Sequence, residues 1–302
     1  MADRLQFPVA RADQLALAVT EAASNLYKHA EQGSLLLAIS RDADPPGIIL
    51  VTIDAGPGLP DVGAAWRDGH STAGTLGIGL GAIRRLADFC DLYSMPGRGT
   101  ALVARFWPAP CQPAIRYAGL IRPITGEIEC GDAFGAVQTG DVVTALLCDG
   151  LGHGPLAASA AAEAVTAVLE APAAEPVALL ERAHRRLGGT RGGAIGIVQL
   201  AGHAAKFAGL GNITASILSS DSRKGMLSVP GIVGHQARTI RQFEYQVPPD
   251  AAIVLHSDGL SSRWGAAAVP ALAARDPLLV AAVLLAAAGS HRDDAGVLVL
   301  KP

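Results

Sequence analysis

The chain is expected to be an α+β protein of two domains, and three features of its sequence carry that expectation. At 302 residues, half of them hydrophobic, it can bury two cores of ordinary domain size. Apolar residues recur at helical spacing in some segments and form short strand-length blocks in others. Finally, WPAPCQP at 107–113 has three prolines in seven positions. Neither a helix nor a central strand tolerates this, so residues 108–113 read as a linker between a domain over 1–107 and another over 114–302.

Before the linker, ADQLALAVTEAASNLYKHA is apolar at helical spacing, and SLLLAIS and GIILVTI read as strands. LGAIRRLADFCDLY reads as one helix and GTALVARFW as a strand. After it, DVVTALLCDG, GGAIGIVQL, AAIVLHSDG and AGVLVL read as strands alternating with Ala-rich helices such as PLAASAAAEAVTAVLEA. PLLVAAVLLAAAG is too short to span a bilayer and fits a buried helix. No repeat of fixed period is visible.

Composition narrows the function. Twenty-four basic residues nearly balance 27 acidic ones without a Lys/Arg stripe, which argues against nucleic acid or membrane partners. The opening MADRLQFPVARADQ lacks the basic-then-apolar pattern of a signal peptide, and the four cysteines are widely spaced without a C-x-x-C pair. The expectation is a reducing, cytoplasmic home.

Three pieces of the first domain carry chemistry. Glu21 and Asn25 sit four apart on the predicted helix and project from one face. DAGPGLP places Asp54 beside Gly56 and Gly58 directly after a strand, which alone is what any tight turn requires. STAGTLGIGLGAIRRLAD brings Gly74, Thr75, Gly77, Gly79 and Gly81 to the entrance of a helix, where glycines let a backbone approach phosphates and N–H groups stand unpaired. GIGLGA is similar to a dinucleotide fingerprint, but RDGHSTAGT rather than a strand precedes it.

In this order and spacing, the pieces resemble the GHKL ATPases, in particular the anti-sigma and stressosome switch kinases of the RsbT type, over residues 12 to 106. The resemblance implies a Bergerat-type α/β sandwich that binds ATP with Mg2+. Asp54 would hydrogen-bond the adenine amino group, and Asn25 would hold the magnesium that bridges the phosphates. Glu21 would be the base for an attacking serine hydroxyl. Only about a dozen residues precede the helix that carries Glu21, where the family usually has a strand and another helix, so this domain is expected to be N-terminally short.

In the second domain, Asp132, Asp149, Asp258 and the pair Asp293 and Asp294 fall at the ends of separate predicted strands. Any one of the Asp-Gly pairs is a turn by default, but acids that converge are tolerable only around cations, and hard oxygen ligands point to magnesium or manganese. From about residue 117 onward these motifs resemble the SpoIIE-type branch of the metal-dependent type 2C serine/threonine phosphatases, in its short RsbX-like form. That resemblance implies an αββα sandwich with two Mn2+ or Mg2+ ions. Asp149 would bridge both and the Gly150 carbonyl would help bind one, while Asp258 and Asp293 would ligate the other. Asp132 would bind directly or through water. His153 would donate a proton to the departing serine oxygen or simply be hydrogen-bonded in its turn, and Gly211 and Asn212 would shape the rim.

The reading that follows is a bifunctional regulator of a partner-switching or stressosome pathway, a serine kinase joined to a phosphatase of opposite sign, with STAS-domain proteins as substrates. Two rivals stand beside it: a phosphatase whose first domain only senses ATP, and a non-catalytic module that captures a partner such as a sigma factor.

Overall fold

A computed structural model of the chain describes residues 1–41, 44–66, 79–111, 113–237, 239–290 and 292–302. It separates into two compact units, Met1–Ile115 and Arg116–Pro302.

The first unit runs α1 (Val9–His29), β1 (Ser34–Ser40), β2 (Gly47–Ile53), α2 (Val62–Ala65), α3 (Gly79–Leu86), β3 (Phe89–Ser94) and β4 (Thr100–Phe106). Its four strands form one antiparallel sheet in the order β1-β2-β4-β3. Leu15, Ala18 and Ala22 recur at helical spacing and form the buried stripe of α1. Because strand side chains alternate, Ile48 and Leu50 of β2, Leu92 of β3 and Leu102, Ala104 and Phe106 of β4 share the face that meets this stripe and Ile83 of α3.

The single helix expected over LGAIRRLADFCDLY is in fact a helix followed by a strand. The helix stops at Leu86, and Phe89–Ser94 pairs with β4 from Phe89↔Arg105 to Ser94↔Thr100. Asp88 makes the corner by accepting the Trp107 N–H at 2.9 Å and pairing with Arg11, which also donates to the carbonyls of Leu86 and Trp107. The helix end is thereby tied to the end of β4, and the apolar run beyond it reaches the sheet edge. A short apolar run reads equally well either way until its neighbours are known.

The second unit contains β5 (Tyr117–Arg122), β6 (Asp132–Thr139), β7 (Val142–Gly150), α4 (Pro155–Leu169), α5 (Pro176–Arg186), β8 (Gly193–Ala201), β9 (Ala204–Leu210), β10 (Thr214–Leu218), β11 (Arg223–Met226), β12 (Gln242–Gln246), β13 (Ala252–His256), α6 (Pro277–Ala288) and β14 (Ala295–Leu300). Two five-stranded antiparallel sheets, ordered β11-β10-β13-β14-β5 and β12-β9-β8-β7-β6, pack face to face. Helices α4 and α5 cover the second sheet and α6 covers the first, giving an αββα sandwich.

The largely apolar run of β7, in which the one buried hydroxyl, Thr144, donates to the Pro172 carbonyl, follows from this layering. Val143, Ala145 and Leu147 point between the sheets, whereas Leu146 and Cys148 point to the helices, so both faces must be apolar. Asp149 keeps the parity of Leu147 and therefore emerges at the end of the inter-sheet layer. Truncating Leu147, which is completely buried there, should destabilise the second unit by about 2–5 kcal/mol. Thermal unfolding of Leu147→Ala should show a lower midpoint than the wild type.

Candidate functional site

In the first unit, beyond the buried stripe of α1, Asn25, Leu26 and His29 help to line a cavity of about 450 Å³. Asp54 and Gly58 form its floor, with Gly79 and Ile83 of α3 and Thr100 of β4. The floor requires glycine at two points. Gly58 has φ +68°, and a Cβ on it would lie 2.1 Å from the Met95 carbonyl oxygen. Gly99 has φ +78°, and its Cβ would lie 1.8 Å from the Asp54 carbonyl oxygen. The Asp54 turn thus nests against the β3–β4 turn, secured by Asp54 N–H to the Thr100 carbonyl at 2.9 Å and Gly97 N–H to the Pro57 carbonyl at 2.7 Å.

Burial raises the Asp54 carboxyl above its usual range, against the N–H groups of Gly56, 2.8 Å from Oδ1, and of Thr100. Asn25 Nδ2 is buried without a hydrogen-bond partner among the described residues. An acceptor in an apolar cavity and an unanswered amide beside it fit a ligand that offers an N–H at one end and oxygen-rich groups at the other. Glu21, one turn before Asn25, is half-buried and is not part of the cavity lining. Gly56 adjoins the Asp54 carboxylate, Gly79 lies against the Asn25 amide, and Gly81 is buried within α3. Gly74, Thr75 and Gly77 lie outside the described residues. The lining contributed by Thr52, Leu92, Thr100 and Leu102 escaped the sequence reading, although strand alternation sets all four on the helix-facing side.

In the second unit, Asp132 and Asp149 are directly paired across β6 and β7, so their side chains share the face between the sheets. Burial pushes the Asp132 carboxyl up to about 7, with the Ser257 hydrogen bond opposing and the charges of Asp294, Asp258 and Asp293 adding to it. Burial likewise pushes Asp149 up to about 8, reinforced by Asp132, Asp258 and Asp293 and opposed by Asn212. Asn212 donates to Asp258 Oδ2 at 2.7 Å, so one amide touches two of the acids. Asp293 is raised by burial and by Asp258 and Asp294, with His153 acting the other way. Asp132, Asp149, Asp258 and Asp293 therefore meet at one edge of the sandwich.

Their neighbours divide into wall and rim. Asp294 is buried and accepts the N–H groups of Ile124 at 2.8 Å and Gly131 at 2.9 Å, so it clamps the loop before Asp132. His153 is exposed, its Nδ1 3.0 Å from Glu127 Oε1. Gly150 N–H bonds to the Gly131 carbonyl at 3.0 Å, and Gly211 takes φ +99° beside Ala194. Sequence reasoning missed Glu127, Ser257 and the clamp made by Asp294. The parity of β13 was the available signal for Ser257, since 253, 255 and 257 fall on one face.

Among the described residues no three His, Cys, Asp or Glu side chains already close around a point. The acids nevertheless fit divalent cations: they are hard oxygen donors, burial and neighbouring charge raise the carboxyls of Asp132 and Asp149, and Asp132 Oδ1 is buried with no partner among the described residues.

A double antiparallel sandwich with helices outside and carboxylates at one edge gives the second unit the fold of the type 2C serine/threonine phosphatases. Residues 139–302, more than half of the chain, match the family model described as Stage II sporulation protein E (SpoIIE), and the chain belongs to that family. Residues 1–106 match the histidine kinase-like ATPase domain. This part belongs with the serine/threonine-protein kinase RsbT of Bacillus subtilis (strain 168), to which it is 35% identical over 107 residues, 35% of this chain and 80% of RsbT. Among solved structures, a bacterial stressosome chain, from a modular system adapted to control secondary messenger signalling, is 28% identical with a TM-score of 0.56, covering 62% of this chain and 98% of that one. RsbX in complex with magnesium has a TM-score of 0.53 at 17% identity, covering 62% and 96%. The SiaA-PP2C domain of Pseudomonas aeruginosa has 0.52 at 19%, covering 62% and 85%. These last two likenesses show a shared fold.

Histidine kinase-like ATPase domains and type 2C phosphatases use ATP with Mg2+ and divalent metals, respectively. A chain that joins the two is a regulator of the partner-switching kind. Among the described residues, no helix is long and apolar enough to cross a membrane.

The raised carboxyls make stability depend on pH. In the folded, metal-free chain Asp132 and Asp149 hold protons to about 7 and about 8, while unfolded aspartate releases them near 3.8. The fold binds more protons than the unfolded chain between these values, so its stability falls as pH rises through that window. Differential scanning fluorimetry of metal-stripped protein should show a lower midpoint at pH 8 than at pH 5, and added Mn2+ should raise it more at pH 8.

Proposed function

We propose that the chain is a bifunctional regulator, with an ATP-dependent protein serine kinase in residues 1–107 and a metal-dependent phosphoserine/phosphothreonine phosphatase in residues 114–302. Its substrates are STAS-domain proteins of a partner-switching or stressosome pathway. The observation that carries the reading is the Asp132–Asp149 pair, two carboxyls buried face to face that call for cations. The RsbT likeness supports the kinase assignment.

In the phosphatase site, Asp132, Asp149, Asp258, Asp293 and the Gly150 carbonyl would hold two Mn2+ or Mg2+ ions. Such ions, when bound, neutralise phosphate charge and supply a nucleophilic water at neutral pH. Asn212 steadies Asp258 through its amide. Glu127 holds His153 through Nδ1, which leaves Nε2 free to face the substrate, and His153 would pass a proton to the departing serine oxygen. In the kinase site, Asp54 would accept a hydrogen bond from the adenine amino group and Asn25 would hold the magnesium. Glu21 takes the proton of the serine hydroxyl as its oxygen bonds to the γ-phosphorus and ADP leaves.

Substitution separates these roles. Asp149→Asn should abolish the Mn2+- or Mg2+-dependent hydrolysis of an aryl phosphate, and full activity in chelator would refute the assignment. Glu21→Ala should keep ATP affinity and reduce phosphoryl transfer by about 10²–10⁴-fold, the usual contribution of a general base. Asn25→Ala should weaken Mg-ATP binding itself. Unchanged phosphoryl transfer in Glu21→Ala would remove that residue from the mechanism, and absence of transfer in the wild type would favour the ATP-sensor reading.

If both sites act on the same serine, their ratio sets its phosphorylation. Wild-type chain with ATP and an STAS substrate should reach a low phosphosubstrate plateau with continuing ADP release. Asp149→Asn should drive phosphorylation near completion, with ADP release stopping at about one equivalent per target serine, in keeping with the high effective concentration of two joined sites. Equal plateaus would mean that the domains serve different substrates.

A further inference from the structure

Ser257, between β13 and Asp258, is completely buried. Its hydroxyl makes two contacts, one to each sheet: Oγ lies 2.6 Å from Asp132 Oδ2 on the opposite sheet and receives the N–H of Gly296 on the neighbouring strand β14 at 2.9 Å. A hydroxyl has one proton. Since Gly296 N–H donates into the oxygen, that proton is committed to Asp132 Oδ2. Gly296 also closes this side of the carboxylate, because a Cβ there would stand 3.0 Å from Oδ2. The second oxygen, Oδ1, is buried with no partner among the described residues.

Ser257 is itself held firmly. Its N–H donates to the Gly296 carbonyl at 3.1 Å. His256 Nε2 lies 3.1 Å from an Arg223 N–H, and a guanidinium can only donate, so this nitrogen accepts. The ring proton therefore sits on Nδ1 and donates to the Ser257 carbonyl at 2.8 Å. Arg223 in turn packs its guanidinium over Trp264, 3.9 Å from the ring centroid, and donates to Ser216 Oγ at 3.1 Å. A polar line thus runs from β11 through β13 to Asp132, crossing from one sheet to the other.

We infer that Ser257 is a positioning residue for the metal centre: it caps Asp132 Oδ2 so that the carboxylate offers a cation the single oxygen Oδ1. This rests on the metal-site reading above. Partners that orient a ligand typically change metal affinity by about 10–100-fold when removed.

The test is calorimetric titration of Mn2+ into the metal-stripped full chain at pH 7.5, independent of turnover. Ser257→Ala should weaken binding by about 10–100-fold. On an Asp132→Asn background the same substitution should have almost no further effect, because Ser257 acts through that carboxylate. Wild-type affinity in Ser257→Ala, or an equal loss on both backgrounds, would overturn the inference. Ser257→Cys keeps the volume with a much weaker donor and serves if the alanine variant does not fold; wild-type affinity in it would count equally against the role. Asp149→Asn is the control for the site itself. If it binds Mn2+ like the wild type, the metal-site reading fails, whereas lost binding there with unchanged Ser257→Ala sinks the Ser257 inference alone.

Discussion

The second unit is organised around two aspartates that face one another across a β ladder inside a sandwich. Asp132 and Asp149 stand on the inter-sheet face, where every residue deeper along β7 is apolar. Two bare carboxylates in such a place repel each other and forgo hydration, which is why both resist ionisation. The surroundings answer part of that demand from the opposite sheet: Ser257 bonds to Asp132, Asn212 bridges Asp149 and Asp258, and the buried Asp294 braces the loop behind them. The residual electrostatic deficit suits cations, and the sandwich provides a rigid frame for them.

The first unit solves a different problem with a simpler device. A single helix, α1, supplies both the apolar stripe that anchors it to the sheet and, one turn further on, the amide that faces the cavity. The cavity floor can lie deep because Gly58 and Gly99 allow two turns to interlock at distances that any side chain would forbid. The acceptor Asp54 is thus fixed by backbone packing.

Much of this was legible in the sequence. The strands SLLLAIS, GIILVTI and AGVLVL occupy their expected residues, because each is a short apolar block bounded by turn formers. The run VVTALLC of β7, apolar except for Thr144, was legible as a strand, and its composition suits one covered on both faces. The acids at strand ends could be picked out by residue type and placement, as could the Glu21–Asn25 pair by helical spacing.

What the sequence by itself determined was therefore periodicity, turn chemistry and the inventory of reactive groups, all set within a few residues of chain. Only the tertiary structure decided matters that join distant segments. FCDLYS became a strand because Asp88, Arg11 and Trp107 tie its start to the end of β4. Of the adjacent acids at 293 and 294, the first looks toward the other carboxylates and the second turns inward to clamp Ile124 and Gly131. Ser257 reaches Asp132 across 125 positions of sequence, an encounter no local pattern encodes. The physical reason is common to all three: hydrogen bonds and burial act through space, and the partners that fix these side chains lie on other segments of the chain.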